Sequence, residues 1–317
     1  MILVCGEALI DLFVSNTKTG KLMTEAVLGG SPFNVAICIS RLGNRASFCG
    51  GLSTDVFGSA LRERLKQEKV DLSYAVHSEQ LTTICVVATD ALGRPTYAFH
   101  GENKADRQVT VADLPSHLPD DIAAITFGSY TIAVPPVADA LLAFARREAT
   151  RRVISVDPNL RSTVTPELAE WRRRFDPFLK LADIVKASEE DIEIAYGPNV
   201  AVADVARSWI DAGVSLVFVT KGADGAIGFL KSGEQVSAPG RPIKVVDTVG
   251  AGDTFHAAIL THLHNSGSLN KAKLATLTVE ELRQTMNYAI VASSLTCTRL
   301  GADLPTHAEV LKALVNW

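Results

Sequence analysis

Residues 247–260 read "DTVGAGDTFHAAIL". Three small residues, Gly250, Ala251 and Gly252, stand directly before a carboxylate, Asp253. A helical apolar pattern follows through Phe255, Ala258, Ile259 and Leu263. The run "IKVV" (243–246) ahead of it predicts a strand, and the helix is expected to begin near Asp253. Glycine lacks a Cβ, so the N–H groups at Gly250 and Gly252 can approach an anion closely. A helix start adds free N–H donors and about half a positive charge. Together these describe a phosphate site. A carboxylate repels a resting phosphate, so Asp253 needs a task of its own. Taking the proton from an attacking hydroxyl is the task that phosphoryl transfer offers. The simpler reading of Asp253 is a helix cap behind a tight glycine turn.

Two other glycine-rich readings fit less well. A dinucleotide fingerprint would need a third glycine where Phe255 stands, a strong strand soon after, and an acid near residue 272. The Walker A pattern GxxxxGK[ST] does not occur in the chain.

The 317 residues are 47% hydrophobic and 21% charged, which sets a globular protein with a sizeable core. A net charge of −4 brings no basic field for nucleic acid or anionic lipid. Cys5, Cys38, Cys49, Cys85 and Cys297 are odd in number and lack a CxxC pair, so they read as buried thiols in a reducing compartment. The opening "MILVCGEALIDLFV" has no basic leader and carries Glu7 and Asp11, so it reads as a first core strand. No apolar run reaches the roughly 18 residues of a membrane span. A cytoplasmic protein is the expectation.

Near-continuous apolar runs at 2–5, 122–127, 153–157, 183–186, 216–220 and 243–246 suit strands buried on both faces of a mostly parallel sheet. Amphipathic helices lie between them, for example 137–149 after Pro135-Pro136. This alternation predicts a doubly wound α/β sandwich. Residues 12–28 and 82–101 alternate in period two instead, the second with a turn at Ala91-Leu92-Gly93, and predict a small accessory sheet. No linker or repeat divides the chain, so 1–317 reads as one domain with strands inserted at about 12–28 and 82–105. Residues 278–299 predict one long helix with Glu280 and Glu281 in its first turn. His256, His262 and His264 do not share one face with a carboxylate, and His256 is expected to point away from the phosphate loop.

The string D-T-V-G-A-G-D-T-F resembles the C-terminal signature of the ribokinase-like (PfkB-type) sugar kinases, DTxGAGDxF. Other segments carry the same resemblance. "GGSPFN" (29–34) resembles the sugar-binding GGxxxN, with Ser31 as its expected N-cap and Pro32 as N1. "GGLSTDVFG" (50–58) matches GxxGxDxxG, and "DPNLR" (157–161) matches D-x-N-x-R. "KASEED" (186–191) occupies the NxxE position, with Ser188 and Asp191 in place of Asn and Glu, and "TKGADG" (220–225) resembles TxGxxG.

The resemblance implies a three-layer α/β/α sandwich with a small β-sheet lid, transferring the γ-phosphoryl group of ATP to a sugar hydroxyl with Mg²⁺. It makes Asp253 the base and Gly250-Ala251-Gly252 the anion hole. It assigns the sugar to Asp11, Gly29, Gly30, Asn34, Asn159 and Arg161, and the nucleotide to Lys186, Ser188, Thr220, Gly222, Gly225, Gly250, Gly252 and Asn287. Asp191 is left as a Mg²⁺-linked acid, and Asp247, with the backbone of 298–301, as a K⁺ site. A homodimer formed through the lid also follows from it. "YAFHGENKADRQVT" (97–110) is similar to the lid exit of bacterial fructokinases and 2-keto-3-deoxygluconate kinases. His100-Gly101 replaces the arginine that a sugar acid's carboxylate would want, so fructose is the expected substrate. The keto-acid kinase is the alternative, with ribokinase or a nucleoside kinase behind it. A non-catalytic sugar-sensing protein would be expected to have lost Asp253 or the glycines, and all are present.

Overall fold

The computed structural model describes residues 1–16, 20–89 and 95–316. Its main sheet has eight strands, in the order Gln235–Ala238, Ala226–Leu230, Leu216–Thr220, Ile184–Ser188, Val153–Asp157, Ala124–Gly128, Ile2–Cys5 and Ala46–Cys49. From Ala46–Cys49 to Leu216–Thr220 the strands run parallel, and the remaining two are antiparallel.

Helices cover both faces, so alternate residues of a strand enter different cores. Ile2 and Val4 join Phe33, Phe255, Ile259 and Met286 on one face. Leu3 and Cys5 join Phe144, Trp171, Phe175 and Trp209 on the other. Continuous burial is why these strands read as unbroken apolar runs. The long C-terminal helix, Val279–Cys297, starts at Thr278 with a capping box closed by Glu281.

A smaller four-stranded sheet has the order Leu22–Gly29, Leu9–Asn16, Ile84–Thr89 and Pro95–His100. Its central pair is parallel and its outer pairs antiparallel. The turn expected at Ala91-Leu92-Gly93 lies outside the described residues.

Three expectations are corrected. The N-terminal run is two strands, because Gly6–Ala8 carries the chain from the main sheet into the smaller one. Residues 243–246 are not a strand. Val245 and Val246 are 55% and 54% exposed, and the Val246 N–H goes to the carbonyl of Cys297 at 2.8 Å. That side of the sheet is occupied by the hairpin strands Ala226–Leu230 and Gln235–Ala238, which the apolar-run criterion missed. Finally, the phosphate-loop helix spans Ala251–Asn265 with Gly250 as its N-cap, in the left-handed conformation at φ 78°. Asp253 lies in the first turn and is not the cap.

Candidate active site

The parallel strands end on one edge, where α/β sheets gather their ligands. Asp157 ends one strand and Ser188 another, with Thr220 paired beside Ser188 and Gly128 beside Asp157. Helix Ala251–Asn265 begins above this edge. Among the described residues, no protein acceptor takes the N–H of Gly252 or Asp253. Free donors at a helix start suit an anion, but the Ala251 N–H, expected to share in the hole, goes to the carbonyl of Thr248 at 3.2 Å.

Asp253 is held from a distant segment. Ser31 Oγ donates to its Oδ1 at 2.6 Å, and Asn34 Nδ2 to its Oδ2 at 2.8 Å. Ser31 is therefore not an N-cap. That place belongs to Gly30, at φ 109°, and the Ser31 hydroxyl is aimed across the cleft. No local pattern reveals this contact, because its partners lie 222 residues apart. Burial raises the Asp253 carboxyl above its usual range, against the pull of Ser31, Asn34 and Lys186.

Lys186 lies beneath the anion hole. Its Nζ donates to Asp157 Oδ2 at 2.9 Å, with both side chains almost fully buried. The same Nζ lies 3.1 Å from where a Cβ on Gly252 would stand. Burial pulls the ammonium pKa down, but Asp157, Asp191 and Asp253 outweigh it and hold it above its ordinary value. His256 points to the sheet rather than to the loop, with Ser155 Oγ at 2.7 Å from its Nε2. Burial, aided by the Lys186 charge, pushes it down to about 3, so it is neutral.

The smaller sheet supplies Asp11, on strand Leu9–Asn16 opposite Val27 and Cys85. Its carboxylate sits over Gly29, so a side chain there would have to push the Asp11 carboxylate aside. Burial raises Asp11 to about 6, opposed by the Cys85 thiol and the Arg161 guanidinium and assisted by Asp253. Asp11, Asp253 and Arg161 thus sense one another in a single cleft. Asn159 turns the chain at φ 36° ahead of Arg161. Asp55 caps the helix Val56–Gln67 and also accepts from Thr82 N and Oγ1 at 2.8 and 2.7 Å, tying the GxxGxDxxG segment to the entry of strand Ile84–Thr89.

The chain crosses between the two sheets around a buried polar cluster that sequence reading passed over. Glu7 lies in the first crossing, Thr83 in a second, and Asp106 and Arg107 in a third. Thr83 Oγ1 and Tyr130 OH both donate to Asp106, the latter at 2.7 Å, and Arg107 stacks over the Tyr130 ring. Glu7 is 1% exposed, and burial lifts it to about 8.

Among the residues expected to meet the nucleotide, Asp191 accepts from Leu160 N through Oδ1, and from Ser188 N and Oγ through Oδ2. Both oxygens are engaged, and Ser188 is a helix cap. Gly222 and Gly225 shape the turn after Thr220, at φ 54° and 95°. Asn287 accepts from Arg241, which pins the 239–250 loop to the long helix. Asp247 accepts from Val249 N at 3.1 Å and Gly301 N at 2.9 Å, so it does meet the 298–301 turn.

Comparison with known proteins places the chain among sugar kinases. Over 283 residues the chain is 40% identical to a fructokinase of Rhizobium leguminosarum bv. trifolii, covering 89% of this chain and 86% of the relative. The fructokinase with bound ATP from Xylella fastidiosa superposes with a TM-score of 0.91 at 25% identity, covering 99% and 98% of the two chains. The Vibrio cholerae O395 fructokinase in its fructose, ADP and calcium ion bound form gives 0.83 at 27%, covering 99% and 98%. The model of the pfkB family carbohydrate kinases matches residues 1–309, and the chain belongs to that family.

Proposed function

We propose that this carbohydrate kinase phosphorylates fructose, using ATP, with Asp253 as general base. The observation that carries the reading is the Asp253 carboxylate, oriented by Ser31 and Asn34 inside a helix start with two free N–H donors. The sugar hydroxyl gives its proton to Asp253 as its oxygen bonds the γ-phosphorus and the bond to ADP breaks. The N–H groups of Gly252 and Asp253 take up charge on the transferred group. Asp11, Asn34, Asn159 and Arg161, with the backbone at Gly29-Gly30, offer the polar lining that a sugar needs. Ser188, Thr220, Gly222, Gly225 and Asn287 line the nucleotide end. The smaller sheet acts as the lid.

Mg²⁺ belongs with the nucleotide's own phosphates, where it neutralises charge. Asp191 does not fit a metal ligand because it already holds three protein donors, two of them on Oδ2, and closes the cap of its own helix, so no step here runs through it. A K⁺ site at Asp247 and the 298–301 turn remains part of the proposal, as does a homodimer through the lid. Phe13, Met23 and Tyr97, on the lid face that carries Asp11, are 40%, 59% and 51% exposed and suit cover by a second copy. Sedimentation at a single-chain mass would remove the dimer.

The deciding assay offers fructose and 2-keto-3-deoxygluconate together with ATP, in matched K⁺ and Na⁺ salts. Fructose should be consumed first, and faster in K⁺. A site built around hydroxyl partners discriminates strongly, by up to about 10⁴–10⁵, because unmet polar groups stay buried. Preference for the keto acid would defeat the fructose assignment and leave the family standing. Equal rates in the two salts would remove the K⁺ site.

A further inference from the structure

One oxygen of Asp157 lacks a donor. Its Oδ2 accepts from Lys186, but Oδ1 has no partner among the described residues, and the residue is 2% exposed. A carboxylate oxygen shut away from solvent without a donor is costly and calls for an explanation. Asp157, Ser31, His256 and Thr126 line a common cavity of about 10 Å³, shared with Val35 and Cys5. That is about the space of one water-sized sphere, and polar walls are what a buried water requires. The neutral imidazole of His256 has one N–H. Its Nε2 lies 2.7 Å from the Ser155 hydroxyl and 3.4 Å from that of Thr126, so the ring proton is assigned to Nδ1, on the side of Asp157. Nδ1 is 3.8 Å from Oδ2, too far to donate to it directly. Ser31 gives its single proton to Asp253 Oδ1, and among the described residues nothing donates to its own oxygen. A donor without an acceptor and two acceptors without a donor thus border one small space.

We propose that this cavity is a binding site for a single water molecule, which accepts from His256 Nδ1 and donates to Asp157 Oδ1 and Ser31 Oγ. Asp157 and His256 are then positioning residues for the base, acting through the water and Ser31. This deepens the kinase reading above and rests on its assignment of Asp253. A donor on the Ser31 oxygen keeps the hydroxyl from turning, so its own proton stays on Asp253. Hydrogen bonds to a carboxylate favour the charged form, which is the form that can take the sugar proton. No proton moves along this chain. Water and serine hold each other in place.

The test begins with the native protein. A high-resolution crystal structure should show one water within about 2.5–3.2 Å of Asp157 Oδ1, Ser31 Oγ and His256 Nδ1. No water there, or one that misses Asp157 Oδ1 or Ser31 Oγ, overturns the proposal. Val35→Ile and Val35→Leu each extend a lining side chain by one carbon without touching a polar partner. In a variant whose own structure has lost the water, plateau kcat should stay within about twofold. The acid limb of its pH profile should move up by about one pH unit, which is about tenfold in rate on that limb. The other groups that face Asp253, namely Lys186, Asp157, Asp11 and Cys38, are unchanged, so the shift reports on Ser31. A limb that stays put once the water is gone overturns the positioning role. Should both variants keep the water or fail to fold, His256→Leu, which removes the N–H, serves in their place. Native enzyme with the water present but no acid limb would count against Asp253 as the base while supporting the water site.

Discussion

Asp253→Asn should fold, bind ATP and fructose, and turn over at least about 10²-fold more slowly, with about 10⁴ as the upper end for loss of a general base. The variant keeps the shape of the site. Its amide oxygen can accept from Asn34, while its NH₂ donates to Ser31, whose hydroxyl serves as either donor or acceptor. What it lacks is a basic lone pair facing the sugar hydroxyl. The native profile supplies a second reading of the same residue. Burial raises Asp253, and the base works only when deprotonated. Activity should therefore be lost as pH falls, starting above the range of an ordinary aspartate, and the residual rate of the variant should lack that limb. Near-native kcat in Asp253→Asn would end the assignment.

Gly252→Val should suppress kcat by about 10²–10³ with a modest effect on melting temperature, in line with the cost of losing a transition-state donor. Gly252 lies in the first turn of a helix whose backbone valine can adopt, so the turn itself survives. Among the described residues beyond its own helix, the atom that a Cβ would meet is Lys186 Nζ, at 3.1 Å. A valine thus pushes into the space between two free N–H groups and the one buried cation beneath them. Kinetics at saturating fructose, alongside a melting curve, separate this from unfolding. Full activity would show that no phosphate passes there.

Much of this architecture was legible because its signals are local. LVFVT and VISVD are buried on both faces, and such strands carry their burial in plain composition. Thr278 and Glu281 announce a helix start within four residues. The errors have one origin. "IKVV" has the composition of a buried strand, yet its valines face solvent and its N–H bonds a helix end. Tertiary placement overrode propensity there, as it did at Ser31, whose hydroxyl crosses the cleft instead of capping its own helix. The site was readable as a set of motifs but not as a set of contacts. Asp253 with Ser31, and Lys186 with Asp157 and His256, are joined only by folding. Thr83, Asp106 and Tyr130 escaped notice because a lone buried polar residue has no periodic signature.

That last group bears on how acceptor choice could be re-engineered. Glu7, Thr83, Asp106 and Arg107 sit on three separate passages of the chain between the two sheets, where Thr83 and Tyr130 both bond Asp106 and Arg107 lies over the Tyr130 ring. Moving one passage alone would leave a carboxyl or a guanidinium without its neighbours in an apolar surround, which is costly. The four outer strands are therefore a cassette with a shared socket. Grafts from relatives should be cut beyond these crossings, within the exposed reaches of Leu9–Asn16 and Leu22–Gly29. A swap made inside the socket would have to bring all five side chains with it.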